Sequence, residues 1–306
     1  MVTTGKYFAI VTGGSRGIGK GITETLVDSG RFAGIVVTFN TNIEAARDFA
    51  TKIENAHKGK ELKVKTVGGD LTTIEARNGI FALCDKDFPV TDGWMLGCVV
   101  HNAGQYIGVT SDNAENLTAV KKKFGDGSLV DGGDDDKPDL SYMRYYQKLY
   151  GEAFIDLCER SLVRMKAARL KCLENGTTYR GSIVGISSPG CNAAFKTTAG
   201  YDMPGSGKCI MEFAVRQYAI SVAPLSINCN VIVPGVTSSD AWSAVAKVTG
   251  GFTRDEFLEK LRGGIPIGEI AEGKDIGDLV VFLSGPGGGR FMTGLSLRCD
   301  GGLHLK

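Results

Sequence analysis

The stretch Phe8-Ala-Ile-Val-Thr12-Gly-Gly-Ser-Arg-Gly-Ile-Gly19 decides the fold. Its apolar start reads as a buried strand, and the glycines at 13, 17 and 19 read as a tight turn. A helical pattern follows and stops near Gly30, a residue suited to the left-handed position after a helix. Strand, glycine turn and helix in that order give closely spaced glycines their meaning. The turn lets the backbone approach a diphosphate, and the helix offers free N–H groups and the positive end of its dipole. Without the flanking strand and helix, the same glycines would signal only a flexible turn.

Outward from this stretch the alternation repeats. Ile35-Val36-Val37 precedes a helix whose apolar face is Ile43, Ala46, Ala50 and Ile53, at three- and four-residue steps. Residues 62–67 read as a strand, and Thr72 with Glu75 as a capping box for the next helix. Residues 98–100, 183–186 and 230–233 are further apolar runs. Runs that are continuous, not alternating, mark parallel strands covered on both faces. The expectation is α/β: one domain over residues 1–306, a Rossmann-type doubly wound parallel sheet with helices on both faces and right-handed crossovers.

Two regions stand outside this rhythm. A polar, glycine-rich insertion at about 108–140 centres on Asp131-Gly-Gly-Asp-Asp-Asp136. It is either a surface insertion too poor in apolar side chains to order itself, or a lid over a ligand. A region at about 236–268 is expected to form a substrate loop. Tyr142, Tyr145, Tyr146 and Tyr150 fall on one helix and read as core or interface packing, not as a substrate box.

Composition narrows the function classes. With 35 basic against 34 acidic side chains there is no basic excess for a nucleic acid, and Lys121-Lys122-Lys123 reads as a solvated face. No stretch approaches the roughly 20 apolar residues of a membrane span. The first residues, Met1 to Lys6, lack the apolar core of a signal peptide. Eight cysteines are scattered with no C-x-x-C pair, which suits free thiols in a reducing compartment and neither a disulfide framework nor a zinc site. The expectations are a cytoplasmic address, no metal, and no nucleic-acid or membrane partner.

The end of the second strand bears on the choice of dinucleotide. A site selective for NAD places a carboxylate there to hold the ribose 2′-OH. Thr38-Phe39-Asn40-Thr41-Asn42 carries no acid, and Arg16 lies within the glycine turn, where a guanidinium can pair with a 2′-phosphate. Both features point to NADP(H).

Together these landmarks resemble the short-chain dehydrogenase/reductase family, whose glycine pattern is TGxxxGxG. Asp70, Asn102-Ala-Gly104, Ser187-Ser188, Pro234-Gly235, and Thr293-Gly294 with Asp300-Gly-Gly302 follow in the family's order along nearly the whole chain. The resemblance implies cofactor contacts from Gly13, Ser15, Arg16, Gly17, Ile18 and Gly19 in the turn, and from Asn40, Asp70 and Leu71 on the adenosine side. Asn102, Ala103, Gly104, Lys208, Pro234, Gly235, Thr237 and Ser239 complete the implied set, with Thr237 and Ser239 facing the nicotinamide carboxamide. It also implies a small-molecule substrate and a homodimer or homotetramer.

For catalysis, ordinary family members use a serine at the end of strand five and a Tyr-x-x-x-Lys pair on the next helix. Lys208 matches the lysine, but Pro204 stands four residues before it. The nearby phenol is Tyr201, so the spacing in YDMPGSGK is Tyr-x6-Lys. That spacing is similar to the enoyl-thioester reductases, a divergent branch of the family. His101 resembles the histidine of that branch's His-Ser-x-Gly run, and the segment from Glu212 to Arg216 resembles its helix. Lys148 stands where many members have the asparagine of a catalytic tetrad. The glycine turn is of the ordinary type, as in the NADPH-using enoyl reductases.

The branch resemblance implies hydride transfer to an activated C=C bond. Tyr201 would stabilise or protonate the enolate oxygen, Lys208 would hold the ribose, and Ser188 would assist. The chemistry suits the longer spacing. Hydride lands on the β-carbon while charge develops on an oxygen three bonds away, so the acid must stand farther off. Seven residues return to nearly the same helix face, one turn beyond the usual tyrosine. Pro204 and Gly205 place the phenol at the helix entrance. The alternatives are carbonyl reduction or alcohol oxidation by the same residues, and a non-redox cyclase, isomerase or cofactor-binding scaffold.

Overall fold

The computed structural model describes residues 5–104, 141–192 and 201–306. Seven strands form one parallel sheet: β1 (Lys6–Val11), β2 (Phe32–Phe39), β3 (Lys63–Gly68), β4 (Trp94–His101), β5 (Gly181–Ile186), β6 (Ile227–Pro234) and β7 (Ser296–Cys299). Their order is β3-β2-β1-β4-β5-β6-β7, so the winding reverses between β1 and β4. At such a switch point the loops leaving the two strands part, opening a crevice at the carboxyl end of the sheet. The glycine turn leaves β1 on one side of that crevice and Asn102-Ala-Gly104 leaves β4 on the other.

Helices α1 (Gly17–Asp28), α2 (Ile43–Ala56), α3 (Ile74–Asp87), α4 (Ser141–Tyr146), α5 (Ala153–Glu174), α6 (Asp202–Val222), α7 (Ala241–Gly250), α8 (Arg254–Arg262) and α9 (Gly273–Ser284) flank the sheet. A π-helical turn, Gln147–Glu152, joins α4 to α5. The apolar runs of β1, β4, β5 and β6 are buried almost throughout, as continuous hydrophobic strands require. Helices α1 and α9 cross so closely that a Cβ on Gly21 would run into the backbone of Gly273. Gly30 ends the first helix with φ +66°, the conformation expected of it. Among the described residues no helix is long and apolar enough to cross a membrane.

Three local expectations shift. Ile43 is exposed, and Phe49 joins Ala46, Ala50 and Ile53 on the buried face of α2. The N-cap of α3 is Thr73, whose hydroxyl accepts from Ala76 N at 3.3 Å, so the Thr72–Glu75 capping box is not formed. The cause is Asp70: its carboxylate accepts from Thr72 N at 2.9 Å and its carbonyl from Thr73 N at 3.0 Å. That turn consumes Thr72 and starts the helix one residue later. The four tyrosines do not share one regular helix, because Tyr150 lies in the π turn, where it stacks on Tyr146. The insertion at about 108–140 lies outside the described residues, and with it the choice between surface loop and lid.

Candidate active site

The glycine turn is held open from below. Gly13 and Gly17 have φ of +61° and +52°, which side chains rarely adopt. A Cβ on Gly19 would strike the Gly13 carbonyl oxygen and Asn102 Nδ2. That amide donates to the carbonyls of Thr12 and Gly13, both at 3.1 Å, and so locks the turn to the end of β4. Thr23 Oγ1 spans the far side, reaching the carbonyls of Gly14 and Gly19 at 2.9 Å. The arrangement leaves the N-terminus of α1 facing the crevice, a cradle that fits the diphosphate of a dinucleotide.

Ser15 and Ile18 are half-buried in the turn, and Arg16 is extended and exposed just before α1. Asn40 is exposed at the end of β2, and Asn42, two residues on, caps α2 by accepting from Ala45 N at 3.0 Å. Asp70 is half-buried after β3, and Leu71 beside it is buried, its carbonyl taking Arg77 Nη1 at 2.8 Å. Across the crevice, Pro234 ends β6 and Gly235 N donates to Cys299 O at 2.9 Å. Thr237 is buried and its hydroxyl donates to Gly235 O at 3.1 Å. Ser239 lies opposite Gly17: a Cβ there would be 3.4 Å from the Ser239 Cβ. Of the residues expected to hold a dinucleotide, Gly13, Gly17, Gly19, Asn102, Ala103 and Ser239 thus meet around the glycine turn.

A buried polar chain runs beneath it. Thr12 Oγ1 accepts from Asn102 N at 3.0 Å and Ala103 N at 2.9 Å, so its own proton goes to His101 Nδ1 at 3.1 Å. The other ring nitrogen, Nε2, donates to Leu149 O at 2.9 Å. Burial, with help from the charge on Lys208, pushes the imidazole down to about 3. His101 is thus a neutral strut with both nitrogens satisfied, tying the glycine turn to the π turn.

Tyr201 pairs with Ser188 at the entrance of α6, and Lys208 stands farther along the same helix. Tyr201 is the N-cap of α6, at the entrance of the helix, with Pro204 in the first turn. Its hydroxyl donates to Ser188 Oγ at 2.8 Å. Lys208 is buried two turns on, and its ammonium donates to Ile186 O at the end of β5. Burial lowers its pKa to about 8, while Cys191 and Glu212 act the other way. Cys191 is itself pushed up to about 12 by burial and is uncharged in that range, so the opposing charge is the Glu212 carboxylate.

Glu212 organises the floor of the site. It is buried one turn after Lys208 on α6 and accepts from Ser187 Oγ at 2.6 Å, Ser296 Oγ at 2.8 Å and Asn192 Nδ2. One carboxylate thereby joins the end of β5, the start of β7, the loop after β5, and the lysine helix. In the sequence Glu212 stands out only as part of a helix similar to that of the enoyl-thioester reductases. The available signal was an acid four residues after a lysine, among apolar neighbours Met211, Ala214 and Val215. The exposed Lys148 contrasts with the buried Tyr150, whose ring lies under the Lys208 ammonium. Among the described residues no group of three or more His, Cys, Asp or Glu is placed to hold a metal.

Two family models tile the chain. The one described as short chain dehydrogenase matches residues 7–124, and the one described as Enoyl-(Acyl carrier protein) reductase matches residues 148–304. The chain is similar to 1-cyclohexenylcarbonyl-CoA reductase of Streptomyces collinus, 27 % identical over 300 residues, covering 98 % of this chain and 88 % of that protein. It is also similar to a 3-oxoacyl-acyl-carrier-protein reductase of Haemophilus influenzae, 26 % identical, covering 97 % and 98 %. Among solved structures, YwfH, an NADPH-dependent reductase involved in bacilysin biosynthesis, superposes with a TM-score of 0.73 at 22 % identity, covering 98 % of this chain and 99 % of that one. L-sorbose reductase of Gluconobacter frateurii, solved with NADPH and L-sorbose, gives 0.74 at 18 % identity, covering 99 % and 98 %. The chain belongs to the short-chain dehydrogenase/reductase family of oxidoreductases.

Proposed function

We propose that the protein is an NADP(H)-dependent reductase of an activated C=C bond, an enone or enoyl thioester. The observation that carries this reading is the position of the acid. Tyr201 caps α6 seven residues before Lys208, while Pro204 occupies the position of an ordinary carbonyl reductase's tyrosine. A phenol at the helix entrance suits an oxygen removed from the carbon that receives hydride. The likeness to 1-cyclohexenylcarbonyl-CoA reductase supports the same reading.

Bound NADPH supplies the hydride, and the chain's own residues do the rest. The glycine turn and the N-terminus of α1 hold the diphosphate. Arg16 pairs with the 2′-phosphate, and the exposed Asn40 opposes it with no charge. Lys208 would hold the nicotinamide ribose and supply positive charge beside it. As hydride reaches the β-carbon, the Tyr201 hydroxyl hydrogen-bonds the enolate oxygen or passes it a proton, with Ser188 placed to take part.

One specific observation favours carbonyl reduction as the second reading. The Tyr201–Ser188 hydrogen bond pairs the groups that polarise a ketone in ordinary members, and a 3-oxoacyl reductase is among the relatives. Cofactor oxidation with matched enone, enoyl-thioester and ketone substrates separates the two. The C=C reading expects NADPH-dependent turnover of the first two, with the preference over NADH reduced in Arg16→Ala. Turnover of ketones alone would replace it with the second reading.

The charge on Lys208 also sets a pH dependence. Its folded pKa is depressed to about 8, so the ammonium is present below that pH and lost above it. Single-turnover hydride transfer is expected to fall as pH rises through about 8, with the slope of one proton. A rate that stays flat to pH 10 would remove the ammonium from the mechanism.

Ile155 and Val163 on α5, and Phe213 and Ile220 on α6, expose apolar side chains. They support a dimer or tetramer formed through these helices. A monomer at all concentrations in sedimentation velocity would dismiss it.

A further inference from the structure

The position matched to the tetrad asparagine carries Lys148, and its side chain is exposed. Two residues on, Tyr150 is buried and faces inward. Its ring lies 4.0 Å, centroid to Nζ, from the Lys208 ammonium. That is well within the roughly 6 Å reach of a cation–π attraction, which strengthens as water is excluded. Exposure is 6 % for Lys208 and 5 % for Tyr150, so water is largely excluded from both.

Several contacts fix the ring in this place. The Ala153 amide bonds back to Lys148 O, the five-residue step of a π turn. In a regular helix that amide would take Leu149 O; here Leu149 O accepts His101 Nε2 instead. Gly151 then packs on α6, where a Cβ would come within 2.8 Å of Ile210 Cγ2. Tyr146 stacks on Tyr150, with centroids 5.6 Å apart and planes at 12°. The wider turn, the histidine strut and the stacked ring together make a rigid platform under the lysine.

We propose that Tyr150 is a positioning residue for Lys208, its ring face holding the buried ammonium while the position matched to the tetrad asparagine carries the exposed Lys148. The role rests on the reading of Lys208 as the ribose-holding group. It predicts a sharp chemical preference at position 150: an aromatic face serves and an aliphatic side chain of similar bulk does not. Lys208 Nζ already donates to Ile186 O, and the ring adds an attraction that selects for the charged form and opposes the desolvation around it.

The test is a titration of Lys208 itself, which needs neither substrate nor turnover. Protein carrying carbon-13 at the lysine ε-position is followed by NMR against pH, with the Lys208 resonance assigned by its loss in Lys208→Arg. Among the described residues, the charged or titratable groups facing Lys208 are Glu212 of its own helix, Cys191 of the loop after β5 and His101 of β4, with Tyr150 from the π turn. All except Tyr150 are retained in the series. Tyr150→Leu is expected to lower the Lys208 midpoint by about one pH unit, and Tyr150→Phe to leave it in place. Phenylalanine analogues of rising fluorine content at position 150 keep the ring's shape while draining its face of charge. They are expected to lower the midpoint step by step, and they decide the matter if Tyr150→Leu does not fold. A midpoint indifferent to fluorination would overturn the proposal, as would Tyr150→Phe shifting it as far as Tyr150→Leu. Because the readout is a side-chain titration, it stands whether the enzyme reduces C=C or C=O.

Discussion

Tyr201→Phe is expected to lower the rate of substrate reduction roughly a thousandfold while leaving NADPH affinity nearly unchanged, the effect of losing one positioned proton donor. The ring remains, so its packing beside Gly205 is kept; a Cβ on that glycine would stand 3.4 Å from Tyr201 Cδ1. What is lost is the hydroxyl that donates to Ser188 Oγ and, in the reaction, to the substrate oxygen. Because the acid acts in the transition state, the loss should fall on kcat and kcat/KM alike. Rapid-mixing measurement of NADPH oxidation, beside a fluorescence titration of NADPH binding, checks both halves. A loss of less than about tenfold would move the proton donor elsewhere, since positioned general acids contribute more than that.

The second large effect concerns the cradle. Gly19→Ala is expected to weaken NADPH binding at least about a hundredfold and to destabilise the fold by about 3 kcal/mol, at the upper end of ordinary overpacking. The new Cβ meets a backbone carbonyl and the Asn102 amide, neither of which is the free end of a flexible side chain. Relief requires the turn to open. Opening breaks the Asn102 bonds to Thr12 O and Gly13 O and tilts the N-terminus of α1 away from the diphosphate. Calorimetric titration with NADPH and a thermal melt report the two consequences separately. Wild-type affinity in the alanine variant would show that the turn is far more pliable than its packing indicates.

The residues that were legible in the sequence are those whose chemistry is tied to a short local pattern. The strand-turn-helix around Gly13 to Gly19 announces itself because positive φ and close backbone approach demand glycine. Five of the seven strands carry continuous apolar runs, β3 alternates its two valines with polar residues, and Pro204 with Gly205 marks where a helix can begin. β7 escapes this reading because Ser296–Cys299 is four residues long and only half-buried, with an exposed Arg298 and no apolar run. Thr73, not Thr72, caps α3 because Asp70 two residues earlier claims the first amide.

The site's supporting groups were less legible because their partners are distant in sequence. His101 finds Thr12 and Leu149, separated from it by 89 and 48 residues. Glu212 gathers Ser187 and Ser296, 25 and 84 residues away. Tyr150 looked like one packing tyrosine among four. Its inward direction comes from the π turn, which no local pattern in the run Gln147 to Glu152 announces.

The most direct measurement of C=C reduction is the position of deuterium in the product. NADPH deuterated at the transferable position is offered with an α,β-unsaturated thioester or ketone, and the product is read by NMR and mass spectrometry. Deuterium on the β-carbon of a saturated carbonyl compound is the expected result. Deuterium on a carbinol carbon, with the double bond intact, would contradict it and assign the enzyme to carbonyl reduction.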